Sequence, residues 1–163
     1  MKFICDDNLG KLAKYLRILG FDTYFAEPIS DHDLVRIAAS QERWLLTRDH
    51  HLAARSHPFG ITILDENDPI KQLTFVVQSL SLKIDPGLLF HRCSLCNAPC
   101  RIVDKSKITD EVFPFILRTQ EIISQCPSCK RFYWKGTHYK RLVARLRNAI
   151  PVDSVTGEWP APQ

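Results

Sequence analysis

Short apolar runs alternate with helically spaced apolar residues over the first half of the chain. Lys2-Phe3-Ile4-Cys5 reads as a strand that ends at Asp6-Asp7-Asn8. Leu9, Leu12, Ala13 and Leu16 then recur at helical spacing, and Gly20 stops the helix. Asp22–Phe25 reads as a second strand. A helix begins at Ser30, with Leu34, Ile37, Ala38 and Gln41 along one side. Trp44–Thr47 and Ile61–Leu64 supply a third and a fourth strand. A last helix follows Pro69, a residue suited to a helix's first turn, and bears Ile70, Leu73, Val76, Val77 and Leu80. This alternation predicts βαβ units, hence an α/β domain over residues 1–84. Its centre is an open parallel sheet of about four strands with helices on both faces.

The pattern changes at Lys83–Phe90, where Pro86-Gly87 marks a domain boundary. Beyond it helical periodicity weakens, and short strands are expected at Arg101–Val103 and Phe132–Trp134. Tyr139–Ala149 reads as a basic helix with Leu142, Val143 and Leu146 turned inward. The second domain thus spans residues 90–149. Residues 150–163, with Pro160 and Pro162, are expected to form a disordered tail. No segment repeats, and no apolar run is long enough to cross a membrane.

Cys93-Ser94-Leu95-Cys96 and Cys126-Pro127-Ser128-Cys129 form two CxxC pairs separated by 29 residues, 97–125. Each pair sets two sulfurs on one tight knuckle, and two knuckles supply the four thiolates that structural zinc prefers. The separation predicts a small zinc ribbon carrying an inserted segment at Lys105–Leu117 and followed by the C-terminal helix. A redox CxxC is usually single and follows a strand of a βαβ unit, unlike these. Cys100, His91 and His138 are alternative ligands by position. Cys5 sits within a strand, where a small buried apolar residue fits.

In a parallel sheet the carboxyl ends of the strands emerge at one edge, and ligands bind there. Asp6 and Asp7 follow the first strand, Asp49 the third, and Asp65, Glu66 and Asp68 the fourth. Asp31 and Asp33 open the second helix near the same edge. Carboxylates gathered in this way repel one another and call for a cation. An oxygen-rich set suits Mg²⁺ or Mn²⁺, ions that polarise a phosphodiester. Ordinary roles compete. Ser30 and Asp33 have capping-box spacing, Asp65 and Asp68 can cap the last helix, and Asp7 can face solvent. Asp6 and Asp49, each closing an apolar strand, are the stronger site candidates. A phosphorylated receiver domain also has acids after strands one and three. It needs a fifth strand ending in Lys, where this chain turns to its cysteines.

Charge sharpens the picture in the second half. Of the net +4, residues 1–84 contribute −1 (10 Lys+Arg against 11 Asp+Glu) and residues 85–163 contribute +5 (12 against 7). The excess points to an anionic partner there. Met1–Asp7 reaches two acids too early for a signal peptide, so a cytoplasmic location is expected.

Several strings acquire meaning together. They are Phe3-Ile4-Cys5-Asp6, Leu9-Gly10-Lys11-Leu12-Ala13-Lys14-Tyr15-Leu16-Arg17, Leu19-Gly20-Phe21-Asp22, Asp31-His32-Asp33-Leu34 and Arg43-Trp44-Leu45-Leu46-Thr47-Arg48-Asp49. Further along stand Gln72-Leu73, Arg92-Cys93, Cys96-Asn97, Cys126-Pro127-Ser128-Cys129 and Tyr133-Trp134-Lys135-Gly136-Thr137-His138. Together they resemble the PIN-like RNase domain at the carboxyl end of Mut-seven-type exonucleases, which also occurs as a stand-alone protein. Cys100 stands where that family usually has an aliphatic residue, and Thr137 where Ser is common.

The resemblance implies a PIN-like nuclease core with a fused zinc ribbon, acting on RNA with a divalent metal. By position it makes Asp6 and Asp49 catalytic ligands of Mg²⁺ or Mn²⁺, joined by an acid of the Asp31/Asp33 pair. It makes Cys93, Cys96, Cys126 and Cys129 the zinc ligands. An RNA partner also gives the cations a role. Lys11, Lys14, Arg17 and Arg48 lie near the acidic edge, while Lys135, His138, Lys140, Arg141 and Arg145 follow the last strand into the helix. Phe132, Tyr133 and Trp134 either stack on unpaired bases or form the ribbon's core. A non-catalytic RNA-binding module of the same fold is the alternative.

Overall fold

The structure is a computed structural model describing residues 1–55 and 57–160. Strands β1 (Lys2–Cys5), β2 (Asp22–Phe25), β3 (Trp44–Thr47) and β4 (Ile61–Ile63) pair in the order β2-β1-β3-β4, all parallel. Helices α1 (Gly10–Ile18), α2 (Asp31–Ser40) and α3 (Pro69–Ser79) follow β1, β2 and β4. Side chains of a strand alternate between faces, and β1 divides accordingly. Phe3 and Cys5 join the larger core cluster with residues of α1 and α3, whereas Ile4 joins Leu34 and Ala38 of α2 with Leu45 and Leu52. No fifth strand extends the parallel sheet among the described residues.

Local chemistry starts the helices where the sequence predicts. The Ser30 hydroxyl accepts the Asp33 N–H at 3.1 Å, and Asp68 accepts the N–H groups of Ile70 and Lys71 at 2.8 and 3.0 Å. Before β4 the chain turns through Gly60 at φ +102°, and a Cβ there would sit 2.5 Å from the Trp44 ring. Both the left-handed backbone and the close ring demand glycine. Gly60→Ala should therefore cost more than about 1 kcal/mol in denaturant unfolding. An unchanged midpoint would mean that the turn and Trp44 move aside freely.

The second part carries an antiparallel sheet of β5 (Arg101–Ile102), β6 (Ile123–Gln125) and β7 (Phe132–Trp134), with a short helix α4 (Pro114–Thr119) in the insertion. The sequence reading missed β6, whose Ile123-Ser124-Gln125 offers a single apolar residue and so no visible alternation. The C-terminal helix α5 spans Thr137–Ala149, two residues longer at its start than expected.

Two expectations need correction. The first grouped the C-terminal helix with the ribbon. Instead, Val143, Leu146 and Ile150 enter the same core cluster as α1 and α3, and the Thr74 hydroxyl donates to the Ala149 carbonyl at 2.9 Å. Ile84 and Leu89, inside the expected linker, are also buried in that cluster. The second concerned the disordered tail. Ile84 N–H donates to the Ser154 carbonyl and Thr156 N–H to the Ile84 carbonyl, while Trp159 packs on the core. Backbone pairing to Ile84 and apolar burial outweigh the proline-rich composition there. Residues 161–163, with Pro162, lie outside the described residues. No helix among the described residues is long and apolar enough to cross a membrane.

Candidate functional site

Parallel pairing of β1 with β3 brings their carboxyl ends together. Asp6 N–H donates to the Leu46 carbonyl at 3.0 Å, which fixes Asp6 beside the end of β3. The Thr47 hydroxyl donates to Asp6 Oδ2 at 2.5 Å and accepts the Asp49 N–H at 3.0 Å. One buried hydroxyl thus ties the two aspartates. Each also caps a short 3₁₀ turn: Asp6 Oδ1 accepts the Asp7 N–H, and Asp49 Oδ1 accepts the His51 N–H, both at 2.8 Å. A carboxylate has about four lone-pair positions, so capping leaves both with acceptor capacity. Asp6 is 8% exposed and Asp49 is half-buried. Among the described residues neither forms an ion pair.

The other acids are already engaged. The Asp33 carboxylate pairs with Arg36 at 2.9 Å and accepts from the hydroxyl of Ser30, the cap of α2, contacts that hold its carboxyl below the usual range. Asp31 lies 3.7 Å from Arg55. Asp65 faces His50 at 2.9 Å, and Asp68 caps α3. Among the described residues, no three acids bring their oxygens within 4.8 Å of one another.

A cleft of about 490 Å³ opens beside this edge, lined by Asp7, Asn8, Lys11, Lys14, Arg48 and Asn67 among others. Lys11, Lys14 and Arg48 are exposed, and the Arg48 guanidinium donates to Asn67. Three cations therefore line a cleft that also includes Asp7 and Asn8, the residues directly after Asp6. On the other side of the molecule's sequence, Lys135, His138, Lys140, Arg141 and Arg145 are all exposed, and Arg145 lies 6.0 Å from the Tyr15 ring centre.

Arg17 does not belong with these cations. It is 3% exposed, and its guanidinium donates to the carbonyls of Thr23, Ser94 and Leu95. Its placement as an RNA contact is corrected: the side chain is buried, and its Nε and Nη1 are already given to backbone oxygens rather than turned out to meet phosphate.

The four cysteines form the cluster their spacing predicts. All four sulfurs lie within 4.8 Å of one another, with Cys93–Cys129 at 3.5 Å and Cys96–Cys126 at 3.3 Å. Zinc–sulfur bonds of about 2.3 Å in a tetrahedron separate sulfurs by about 3.8 Å, so this set could hold a zinc ion. The two knuckles match. Cys96 N–H reaches Cys93 Sγ and Cys129 N–H reaches Cys126 Sγ, each at 3.5 Å, while Asn97 and Lys130 follow at φ +70° and +62°. Burial opposes ionisation of Cys93. The Cys96 and Leu95 N–H groups and the Tyr133 hydroxyl outweigh it and hold the thiol down to about 6. Cys100 stands outside the four-sulfur group, and burial, then the neighbouring thiols, pushes it up to about 12.

The knuckle is fastened to the α/β part by Arg17 and by residues to which the sequence reading gave no role. β2 is an edge strand, so the outward N–H and C=O of Thr23 find no strand partner. Asn97 Oδ1 accepts that N–H at 3.0 Å, and Arg17 Nε donates to that carbonyl at 2.9 Å. Asn97 Nδ2 donates to Asp22 at 2.8 Å; Asp22 also meets Arg43 at 2.6 Å and Arg92 at 3.6 Å. Burial would raise the Asp22 carboxyl, but its bonds to Arg43 and Asn97 hold it below the usual range. Only the strings quoted around Arg17, Asp22, Arg92 and Asn97 carried a trace of this network.

A family model described as the Mut7-C RNAse domain matches residues 1–146, spanning the parallel sheet, the cysteine cluster and most of α5. No curated protein and no solved structure matches the chain.

Proposed function

The chain belongs to the Mut7-C RNAse domain family, and from that premise we propose that it is a metal-dependent ribonuclease with a PIN-like core and a structural zinc ribbon. The observation that carries the reading is the pair Asp6 and Asp49, joined by the Thr47 hydroxyl at the carboxyl edge of the sheet and without a basic partner among the described residues. Mg²⁺ or Mn²⁺ held by these carboxylates would supply Lewis acidity to a phosphodiester. Asp31, at the start of α2, is the further acid we assign to join them, because Asp33 is held by Ser30 and Arg36 at 2.9 Å while Arg55 lies 3.7 Å from Asp31. Thr47 fixes the Asp6 carboxylate and the Asp49 backbone, so the pair needs little reorganisation when a cation binds. Lys11, Lys14 and Arg48 in the adjoining cleft would draw in the RNA backbone and hold its phosphates beside the acids. Cys93, Cys96, Cys126 and Cys129 would bind zinc and keep the ribbon folded.

Zinc-loaded protein incubated with mixed RNAs should give product when Mg²⁺ or Mn²⁺ is supplied and none when both are withheld. Cleavage that proceeds equally without them would overturn the assignment. Among the described residues no third acid joins Asp6 and Asp49 in a group whose oxygens all lie within 4.8 Å of one another, which favours a second reading, an RNA-binding module without turnover. That reading predicts RNA binding with no product at any concentration of either ion.

A further inference from the structure

A cleft of about 930 Å³ opens between the antiparallel sheet and α5 and shares no lining residue with the cleft beside Asp7. We propose that it seats unpaired bases of single-stranded RNA, apart from the place where the strand is cut. The inference rests on RNA being the substrate.

The walls have the chemistry that bases require. Phe90, Phe132, Tyr133, Trp134 and Tyr139 all line the cleft. Phe90 leans on Tyr139 at 5.0 Å and on Tyr133 at 6.4 Å between ring centres, which makes a rigid aromatic floor. Tyr133 is tied to the cysteines through its hydroxyl, 3.0 Å from Cys93 Sγ, so the floor is braced by the metal-binding cluster itself. Trp134 is different: it is 37% exposed and free to meet a ligand. Gly136 permits its position, because a Cβ there would lie 2.8 Å from the indole Nε1. Every base has a π face, so such rings accept any sequence by stacking. A duplex keeps its bases stacked on each other and cannot offer them to a concave wall.

Charge selects the occupant. Between Glu121 and Asp153 the chain carries seven Lys and Arg and no Asp or Glu, and this stretch contains β7 and the whole of α5. Lys135 and His138 stand in the lining itself. The one acid there, Glu158, comes from the chain beyond α5 and is exposed. Helix α5 also starts at the cleft without a side-chain cap, so its first N–H groups add to the positive rim. Aromatic rings inside a cationic border complement a strand with bases turned inward and phosphates outward. The volume lies near the upper end of small-molecule pockets, roughly 300–1,000 Å³, as a run of more than one nucleotide requires.

Fluorescence anisotropy of a short labelled oligouridylate, with zinc-loaded full chain and no Mg²⁺ or Mn²⁺, tests this. The single strand should bind more tightly than a blunt duplex of equal length. Trp134→Ala should weaken single-strand binding on the order of tenfold without changing zinc content or melting temperature. Gly136→Ala, which displaces the indole and removes no charge, should weaken it in the same direction. Lys135→Ala should lower the salt slope of log K by about 0.7. Parent-like binding by Trp134→Ala, preference for the duplex, equal displacement by polyglutamate, or no binding by the parent would each overturn the proposal. Cleavage is scored separately. RNA cut by a protein whose Trp134→Ala form binds normally costs only the cleft assignment, whereas Trp134-dependent binding with no cutting costs only the ribonuclease reading.

Discussion

Asp6→Asn protein should fold and bind zinc as the parent does, yet cleave RNA more than about 100-fold more slowly, beyond the usual roughly 10–100-fold loss for groups that merely orient metal ligands. The substitution is nearly isosteric. The Asn oxygen can still accept the Asp7 N–H, and the Asn amide N–H can donate to the Thr47 oxygen, so the turn after β1 keeps its bonds. What disappears is the negative charge that would hold a divalent cation. Asp49→Asn should behave alike, since its capping bond to the His51 N–H also needs only an oxygen. Thr47→Val is the more discriminating variant. It removes no charge but releases Asp6 Oδ2 and leaves the Asp49 N–H without its acceptor. Its activity should fall by roughly 10–100-fold and its stability by about 1–3 kcal/mol, with Thr47→Ser restoring both. Parent-like rates in Asp6→Asn and Asp49→Asn, measured with Mg²⁺ or Mn²⁺ under single-turnover conditions, would remove the acidic edge from the reaction.

The features legible in the sequence were those set by local periodicity and by topology. β1, β2 and β3 begin and end where the apolar runs do, because each run is bounded by turn-forming or polar residues. The proximity of Asp6 and Asp49 followed from parallel order alone: whichever strands are neighbours, their carboxyl ends share an edge. The CxxC pairs were legible because a knuckle is a local structure. Arg17 was misread for the opposite reason. On α1 it follows Lys11 and Lys14 as one more cation, and nothing local reveals that Ser94 and Leu95, nearly 80 residues away, will present their carbonyls to it. The same blindness hid the docking of α5. Its apolar stripe was visible, but a stripe does not name the surface it will cover, and here that surface is α3, in the core cluster that α1 also joins. The tail was misjudged by composition, since Pro-rich sequence resembles disorder until Ile84 offers it a backbone to pair with.

Loss of zinc should reach beyond the ribbon and unfasten the edge of the parallel sheet. Structural zinc contributes about 10–16 kcal/mol in isolated zinc-finger peptides, comparable to the whole stability of a small domain, about 5–15 kcal/mol. A strong chelator, or Cys126→Ser, should therefore unfold the cysteine-bearing part outright. The first knuckle, however, also closes the exposed edge of β2. Once it moves, Asn97 no longer accepts from Thr23, and Arg17 loses the carbonyls of Ser94 and Leu95 while staying in a buried place. Arg17 keeps only the Thr23 carbonyl, and a buried guanidinium with its Nη1 donors unmet is costly, so water must enter between α1 and β2. Hydrogen exchange should show the Thr23 amide losing protection on zinc removal while the amides of β3, which lies in the middle of the sheet, keep theirs. Arg17→Met separates cause from consequence. It should retain zinc, because it touches no sulfur, yet leave the Ser94 and Leu95 carbonyls unpaired and lower stability by about 1–3 kcal/mol for each such group that stays dry. If Thr23 remains fully protected in the metal-free protein while the ribbon melts, the two halves are energetically independent, and the polar network around Asp22 only records their contact.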